Sequence, residues 1–290
     1  MQLDLFANSQ DVMLRNDVLD ALQRRHAPDA RQAWEQLTRE CPGDDTVPGL
    51  AVLIAALEDV STARFVDHAS LAAACRVLSE EISPAARRLF GEQAAVAWMA
   101  SCWRALAQRA VALPFDAGYS DHHAAPMWLE AGEWVAAKQA VERIASWRRI
   151  PAPLAWITEA RYRADGLDAA WPLLAELAWL APARCVALLT RIGDASLDAL
   201  RRQFDAQFVG TGEITDFDWF PAWLLTVKPG LAARLRGARL SRHIDPERAT
   251  SMLWQILSLE RQGRQHDLVE RRKALRDLHA GLYAAYMKTR

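Results

Sequence analysis

The chain has 290 residues, of which 51% are hydrophobic and 24% are charged, and its formal net charge is −1. This composition supports a buried core and argues against a disordered chain. The longest apolar runs, such as residues 50–57 and 94–99, are far shorter than the roughly 20 residues that a membrane span requires, so no membrane segment is expected.

The start of the chain does not resemble a secretory signal peptide, because Asp4 interrupts the apolar residues and no cationic segment precedes them. The four cysteines contain no C-x-x-C pair, which argues against a zinc site and fits a reducing compartment. They are Cys41, Cys75, Cys102 and Cys185. We therefore expect a cytoplasmic protein without a metal or cofactor.

Helical signals fill the first 114 residues, whereas strand alternation and hairpin dipeptides are nearly absent. The apolar spacing predicts a first helix over residues 10–25, and Pro28 opens a second that ends at Pro42-Gly43. Further helices are expected after Pro48, over residues 70–78, from Ser83, and between Gly91 and Pro114. The polar stretch of residues 115–123 predicts the first boundary.

Two glycines separated by 34 residues, Gly132 and Gly166, have matching surroundings. Residues 130–137 align with residues 164–171 with the glycine in register, and Trp128 and Tyr162 precede the two glycines at the same offset. This period resembles the tetratricopeptide repeat family, and the resemblance covers residues 124–208 with a degenerate third copy. It implies paired helices that form a concave surface for binding peptides or proteins, without catalysis.

An irregular segment follows, with glycines at positions 210 and 212 and an aromatic and acidic run before Pro221. The sequence predicts helices again from Leu231, the last two over residues 246–262 and 265–287 with a turn at Gly263. Most of the twelve tryptophans are assigned to the core, whereas Trp219 and Trp223 are expected to be exposed. A ligand groove is a candidate here, formed by Asp216, Asp218, Trp219 and Trp223.

Together these signals predict an all-α fold of stacked antiparallel helical hairpins, as a TPR-like α-solenoid or a right-handed helical array. We divide the chain into an extended N-terminal peptide (1–6), an N-terminal helical region (7–114), TPR-like hairpins (115–209), an aromatic and acidic loop (210–230) and basic C-terminal helices (231–290). One elongated unit is expected rather than separate domains.

No catalytic motif is found. GxxxxGK[ST], GxGxxG, GxSxG and HExxH are all absent. Asp121, His122 and His123 include metal-binding side chains, but adjacent histidines seldom point in the same direction. The sequence therefore predicts no enzyme, and the alternative is an enzyme or small-ligand binder that uses the loop near residues 216–223.

The N-terminal residues Gln2, Leu3, Asp4, Leu5 and Phe6 resemble the bacterial sliding-clamp-binding peptide, whose preferred form is Gln-Leu-Ser/Asp-Leu-Phe, at all five positions. The resemblance implies that the leucines and phenylalanine enter an apolar cleft of the clamp while glutamine hydrogen-bonds to a polar subsite. The alternative is structural: the apolar side chains pack under the first helices.

The net charge conceals an asymmetry, because residues 231–290 contain 13 Lys or Arg against 6 Asp or Glu. Such a basic region contacts an acidic partner or nucleic acid, or is simply a solvated surface. The favoured hypothesis is a non-catalytic helical scaffold that binds another protein, recruited to the replication clamp by Gln2–Phe6 while its basic C-terminal region approaches DNA.

Overall fold

The computed structural model describes residues 2–59, 61–239 and 244–290, and side chains from Gln10 onward. Within these ranges the regular secondary structure is entirely helical, and most successive helices pack against one another. This confirms the predicted all-α fold. The TPR-like arrangement of the helices stays a prediction. None of the described helices is long and apolar enough to cross a membrane.

The chain forms two compact units that divide between Glu133 and Trp134. The described residues of the first unit form seven α-helices: α1 (Gln2–Gln23), α2 (Ala27–Glu40), α3 (Val47–Glu58), α4 (His68–Val77), α5 (Ser83–Phe90), α6 (Glu92–Ala110) and α7 (Ala124–Glu130). A π-helical turn, Leu78–Ile82, joins α4 to α5, and a 3₁₀ turn, Ala117–Tyr119, precedes α7.

The second unit contains nine α-helices in the described ranges: α8 (Trp134–Glu142), α9 (Pro151–Asp165), α10 (Leu167–Leu180), α11 (Pro182–Ile192), α12 (Ala195–Gln207), α13 (Phe220–Val227), α14 (Asp245–Gln262), α15 (Gln265–Leu278) and α16 (Ala280–Lys288). Three 3₁₀ segments connect them, Trp147–Arg149, Ile214–Trp219 and Pro229–Gly237.

The core of the first unit forms where α1 and α6 meet the helices between them. Leu22 of α1 and Trp98 of α6 are both buried, and the indole of Trp98 donates to the Leu22 carbonyl at 3.0 Å. The guanidinium of Arg25 covers the Trp98 ring and donates to the Trp98 carbonyl at 3.1 Å. Arg25 has a φ of 58°, so the chain ends α1 in a left-handed conformation that this contact supports.

The pair of α9 and α10 forms the centre of the second unit. Helix α9 ends and α10 begins at Gly166, whose φ of 78° favours glycine, and the two helices pack against each other from this turn. Trp171 is fully buried and Trp156 is nearly so, as the core assignment of the tryptophans predicts. The turn at Gly166 and the burial of these two tryptophans are therefore as expected, whereas the repeat itself stays a prediction.

The two hairpins are not equal in length, contrary to the alignment of residues 130–137 with 164–171. Gly132 also has a positive φ, of 73°, but α7 and α8 contain 7 and 9 residues, whereas α9 and α10 contain 15 and 14. Moreover, α7 belongs to the first unit and α8 to the second. A repeated glycine specifies a turn, but the length of each helix depends on its packing.

Helix boundaries differ from the sequence prediction at three places. Residues 220–227, predicted to belong to the aromatic and acidic loop, form helix α13. Helix α1 begins at Gln2 rather than Gln10, because residues 2–9 contain no proline or glycine that would end it. Residues 2–6, which were assigned to an extended N-terminal peptide, therefore have a helical backbone. The predicted helix over residues 265–287 is two helices, because His279 interrupts it with an extended backbone and caps α16.

Candidate functional site

The clamp-like peptide lies on the first turns of α1, upstream of the contacts that hold this helix. The side chains of Gln2–Phe6 lie outside the described residues, so the choice between exposure and packing stays open. The first described buried side chain of α1 is Leu14, whereas Val12 and Met13 are 49% and 65% exposed. Packing of α1 into the core is thus established from the fourteenth residue onward.

Polar contacts also hold α1 downstream of the peptide. Gln10 donates to Glu40 at 2.6 Å, and the Cys41 thiol donates to Asp11 at 2.6 Å. Arg15 pairs with Asp44 at 2.6 Å. These contacts join α1 to the end of α2 and to the loop after it.

The predicted aromatic groove is a packed cluster around Phe204 of α12. The rings of Phe208, Phe217, Phe220 and Trp223 lie 4.9–5.6 Å from the Phe204 ring. Trp223 is only 1% exposed, so the prediction that it is exposed is wrong. The Phe204 ring of α12 packs against it at 5.5 Å, a contact that the sequence of the loop alone does not reveal.

Trp219 is half-buried and has an unexpected partner. Its ring lies 4.5 Å from the ring of His279, which also stacks on Phe208 at 5.3 Å. Burial lowers the pKa of His279. The neutral imidazole accepts a hydrogen bond from the Leu282 amide at 3.0 Å, and this contact caps α16.

The two acidic residues of the segment have different environments. Burial alone would raise the pKa of Asp216, but hydrogen bonds from Thr211, Gly212 and Glu213 outweigh it and lower the pKa. Asp216 also packs against Gly210, where an added Cβ would lie 2.6 Å from the Asp216 carboxyl carbon. Asp216 therefore stabilises the loop itself.

Asp218 is half-buried, and one of its carboxylate oxygens has no hydrogen-bond partner among the described residues. Burial, together with the charge of Asp216, raises the pKa of Asp218 to about 6. Neither Asp216 nor Asp218 lines a described cleft. The segment thus combines three buried aromatic residues, Phe217, Phe220 and Trp223, with a half-buried carboxyl group at Asp218.

A different part of the second unit contains an open cleft. Its volume is about 270 Å³, and it lies between α10, the 3₁₀ segment Pro229–Gly237 and α14. We call it the Trp179–Trp254 cleft, and its walls are formed by Trp179, Leu235, Arg236, Ala238, Thr250, Ser251 and Trp254.

A buried carboxylate positions one wall of this cleft. Glu176 of α10 accepts a hydrogen bond from the Arg239 amide at 2.8 Å and pairs with Arg148 at 3.1 Å. Burial raises the pKa of Glu176, and the hydrogen bond from Arg239 opposes this shift. The contacts hold the chain after Pro229–Gly237 against α10 and so keep the cleft open beside it.

No cluster of metal-ligating side chains is found in the part of the chain that the structure describes. Burial raises the pKa of the Cys75 thiol to about 11, and burial also raises the pKa of Cys185, so neither is an activated nucleophile. Comparison of the chain with protein-family models, curated proteins and solved structures finds no match.

Sequence reasoning missed the Trp179–Trp254 cleft. The two tryptophans are 75 positions apart, and both were assigned to core packing on predicted helices. Trp179 is indeed 96% buried, but Trp254 is only half-buried. Only the approach of the 3₁₀ segment, which brings Arg236 beside them, distinguishes a cleft from a packed core.

Proposed function

We propose that this protein is a non-catalytic helical adaptor that binds the bacterial replication sliding clamp through Gln2–Phe6. The observation that carries the proposal is the five-residue sequence itself, Gln-Leu-Asp-Leu-Phe, which agrees with the clamp-binding pattern at every position. Short motifs of this kind bind through a few apolar anchors and one polar contact, so the remaining chain is free to perform another role.

The position of the motif on α1 supports this proposal. Binding in an extended form requires the first turns of the helix to open. Such opening is inexpensive at a helix end, because the first four amide groups have no intrahelical acceptor. Leu14 lies eight positions after Phe6, so its buried contacts persist when residues 2–6 unwind.

The remaining helices are proposed to act as a scaffold of TPR-like hairpins. The helical pair that turns at Gly166 supports this part of the proposal. DNA contact is not included, because many arginines of residues 231–290 pair with acids. These pairs are Arg248–Asp245, Arg264–Asp267, Arg276–Asp277 and the contacts of Arg272 and Arg290 with Glu260.

Titration calorimetry with a purified bacterial sliding clamp tests the proposal. The intact protein should bind with a dissociation constant in the micromolar range, which is on the order of −8 kcal/mol. The double variant Leu5→Ala/Phe6→Ala should lose detectable binding, because both apolar anchors are removed. The variant should also retain the melting temperature of the intact protein.

A matched control is Val12→Ala/Met13→Ala, which removes two exposed apolar side chains from the same helix. This variant should bind the clamp as the intact protein does. The proposal fails if the intact protein shows no clamp binding. A lowered melting temperature in Leu5→Ala/Phe6→Ala, together with that result, would instead assign the peptide to the hydrophobic core.

A further inference from the structure

The Trp179–Trp254 cleft has the chemistry of a small ligand site, and this feature is independent of clamp binding. Its volume of about 270 Å³ lies just below the range of pockets that hold drug-sized ligands, so it accommodates a molecule with one ring. All seven lining residues belong to the second unit.

The walls favour an aromatic group. Trp254 is half-buried and contributes part of its indole surface, while Leu235 and Ala238 add aliphatic surface. Trp179 is 96% buried, and its indole nitrogen has no hydrogen-bond partner among the described residues. Aromatic walls of this type favour a second ring through offset or edge-to-face contacts.

The charge at the cleft favours an anion. Among the described residues that line the cleft, Arg236 is the one that carries a charge, and it has no ion pair within the described part of the chain. Arg234, two residues earlier on the same 3₁₀ segment, pairs with Asp168 at 3.1 Å. A guanidinium group binds a carboxylate through parallel hydrogen bonds, which adds geometric specificity.

A hydroxyl group supplements this charge. Thr250 donates its proton to the Pro246 carbonyl at 2.8 Å, so at the cleft its oxygen is left as an acceptor. Ser251 also lines the cleft, and its hydroxyl has no hydrogen-bond partner among the described residues. Its hydroxyl can therefore donate to a carboxylate.

We propose that the Trp179–Trp254 cleft binds a small, single-ring aromatic carboxylate. The ring lies against Trp254 and Leu235, over the buried Trp179. The carboxylate pairs with Arg236 and accepts a hydrogen bond from Ser251. A peptide with a C-terminal aromatic residue also presents an aromatic ring and a carboxylate, but the volume of the cleft suits the small carboxylate rather than a peptide.

The test uses the full chain and 3-phenylpropionate as the probe, with binding measured by ligand-observed NMR and calorimetry. A ligand of this size should bind with a dissociation constant on the order of 0.1–1 mM. Two related probes separate the contribution of the carboxylate charge from that of the aromatic ring. The neutral 3-phenylpropanamide should bind about ten-fold more weakly, because it cannot pair with Arg236, and 3-cyclohexylpropionate should also bind more weakly, because it lacks the aromatic ring.

Two single variants test the role of the charge. Arg236→Gln should weaken binding of 3-phenylpropionate about ten-fold and leave binding of the amide unchanged. Arg234→Gln is the matched control, since it removes an exposed arginine from the same 3₁₀ segment, and it should leave binding of both probes unchanged. Both replaced side chains lie at the surface, and equal melting temperatures of the variants would show that the fold is retained.

The proposal is overturned if 3-phenylpropionate does not bind, if the amide binds as tightly as the acid, or if Arg234→Gln has the same effect as Arg236→Gln. N-acetylphenylalanine represents a chain end that has the same chemistry. If it binds more tightly than 3-phenylpropionate, the site belongs to a peptide terminus and the assignment to a free acid is wrong. None of these results depends on the sliding clamp.

Discussion

Helices α9 and α10 and the C-terminal helices α15 and α16 belong to the same unit, but different forces hold them. Helix α9 buries nine consecutive residues, Ala152–Ala160, and α10 buries all but one of residues 170–179. Such helices are surrounded by protein on nearly all sides. By contrast, α15 and α16 each bury only two residues in a single stripe.

The C-terminal helices compensate with a polar cluster around Glu260. Arg272 and Arg290 pair with its two carboxylate oxygens at 2.9 and 3.1 Å, and the Tyr286 hydroxyl donates to the same carboxylate. Both guanidinium groups also lie over the fully buried Tyr286 ring. We refer to Glu260, Arg272, Tyr286 and Arg290 as the Glu260 cluster.

The difference shows how stability depends on individual atoms in the two regions. Apolar burial is proportional to area and non-directional, so many side chains share it. Hydrogen bonds to a charged group require specific atoms at specific distances, so single atoms matter more in the Glu260 cluster.

Replacement of Trp171 should produce the largest effect. Trp171→Ala empties a fully buried site at the centre of α10 and should lower the free energy of unfolding by about 3–5 kcal/mol. Chemical denaturation followed by circular dichroism measures the change. Trp134→Ala, which truncates a half-buried tryptophan in the same unit, should cost less. Equal losses would show that burial does not distinguish these sites.

Removal of one hydroxyl group from the Glu260 cluster should have an intermediate effect. Tyr286→Phe keeps the buried ring but removes a hydrogen bond to a carboxylate, which should cost about 1.5–3 kcal/mol. The matched control is Tyr283→Phe, in the same helix, because no hydrogen bond of the Tyr283 hydroxyl is found in the described residues. If both variants unfold at the same denaturant concentration, the cluster does not stabilise α16.

Titration of His279 should have the smallest effect. The pKa of His279 is lower in the folded state than in the unfolded state. Its contribution to the free energy of unfolding is therefore fully present above the unfolded pKa of about 6.5, and it is lost as the pH falls from there towards the folded pKa. Protonation also removes the acceptor that caps α16. The melting temperature of the intact protein should therefore decrease between pH 7.5 and 5.5.

His279→Asn keeps a capping acceptor without a titrating group, so the melting temperature of this variant should depend less on pH.

Titration of Asp218 changes the stability of the fold in the opposite direction. Because its folded pKa is raised to about 6, its protonation stabilises the fold as the pH falls. Asp218→Asn should consequently make the acid destabilisation by His279 larger. An unchanged pH profile in both variants would contradict these assignments.

The sequence alone determined the features that depend on neighbouring residues. Helical spacing and the scarcity of strand patterns specified the all-α fold, and Gly166 and Gly263 marked turns where the chain has a positive φ. The burial of Trp171 followed from its place in an apolar helix. The clamp-like peptide was also apparent from five adjacent residues.

The tertiary structure decided the features that depend on residues far apart in the chain. His279 interrupts a helical pattern because its ring packs with Trp219 and Phe208, about 60 and 70 positions away. Trp223 is buried by packing that its own segment does not encode, and Trp254 meets Trp179 only across a folded unit. Local patterns report propensity and amphipathicity, whereas a cleft or a buried cluster arises from the contacts that folding brings together.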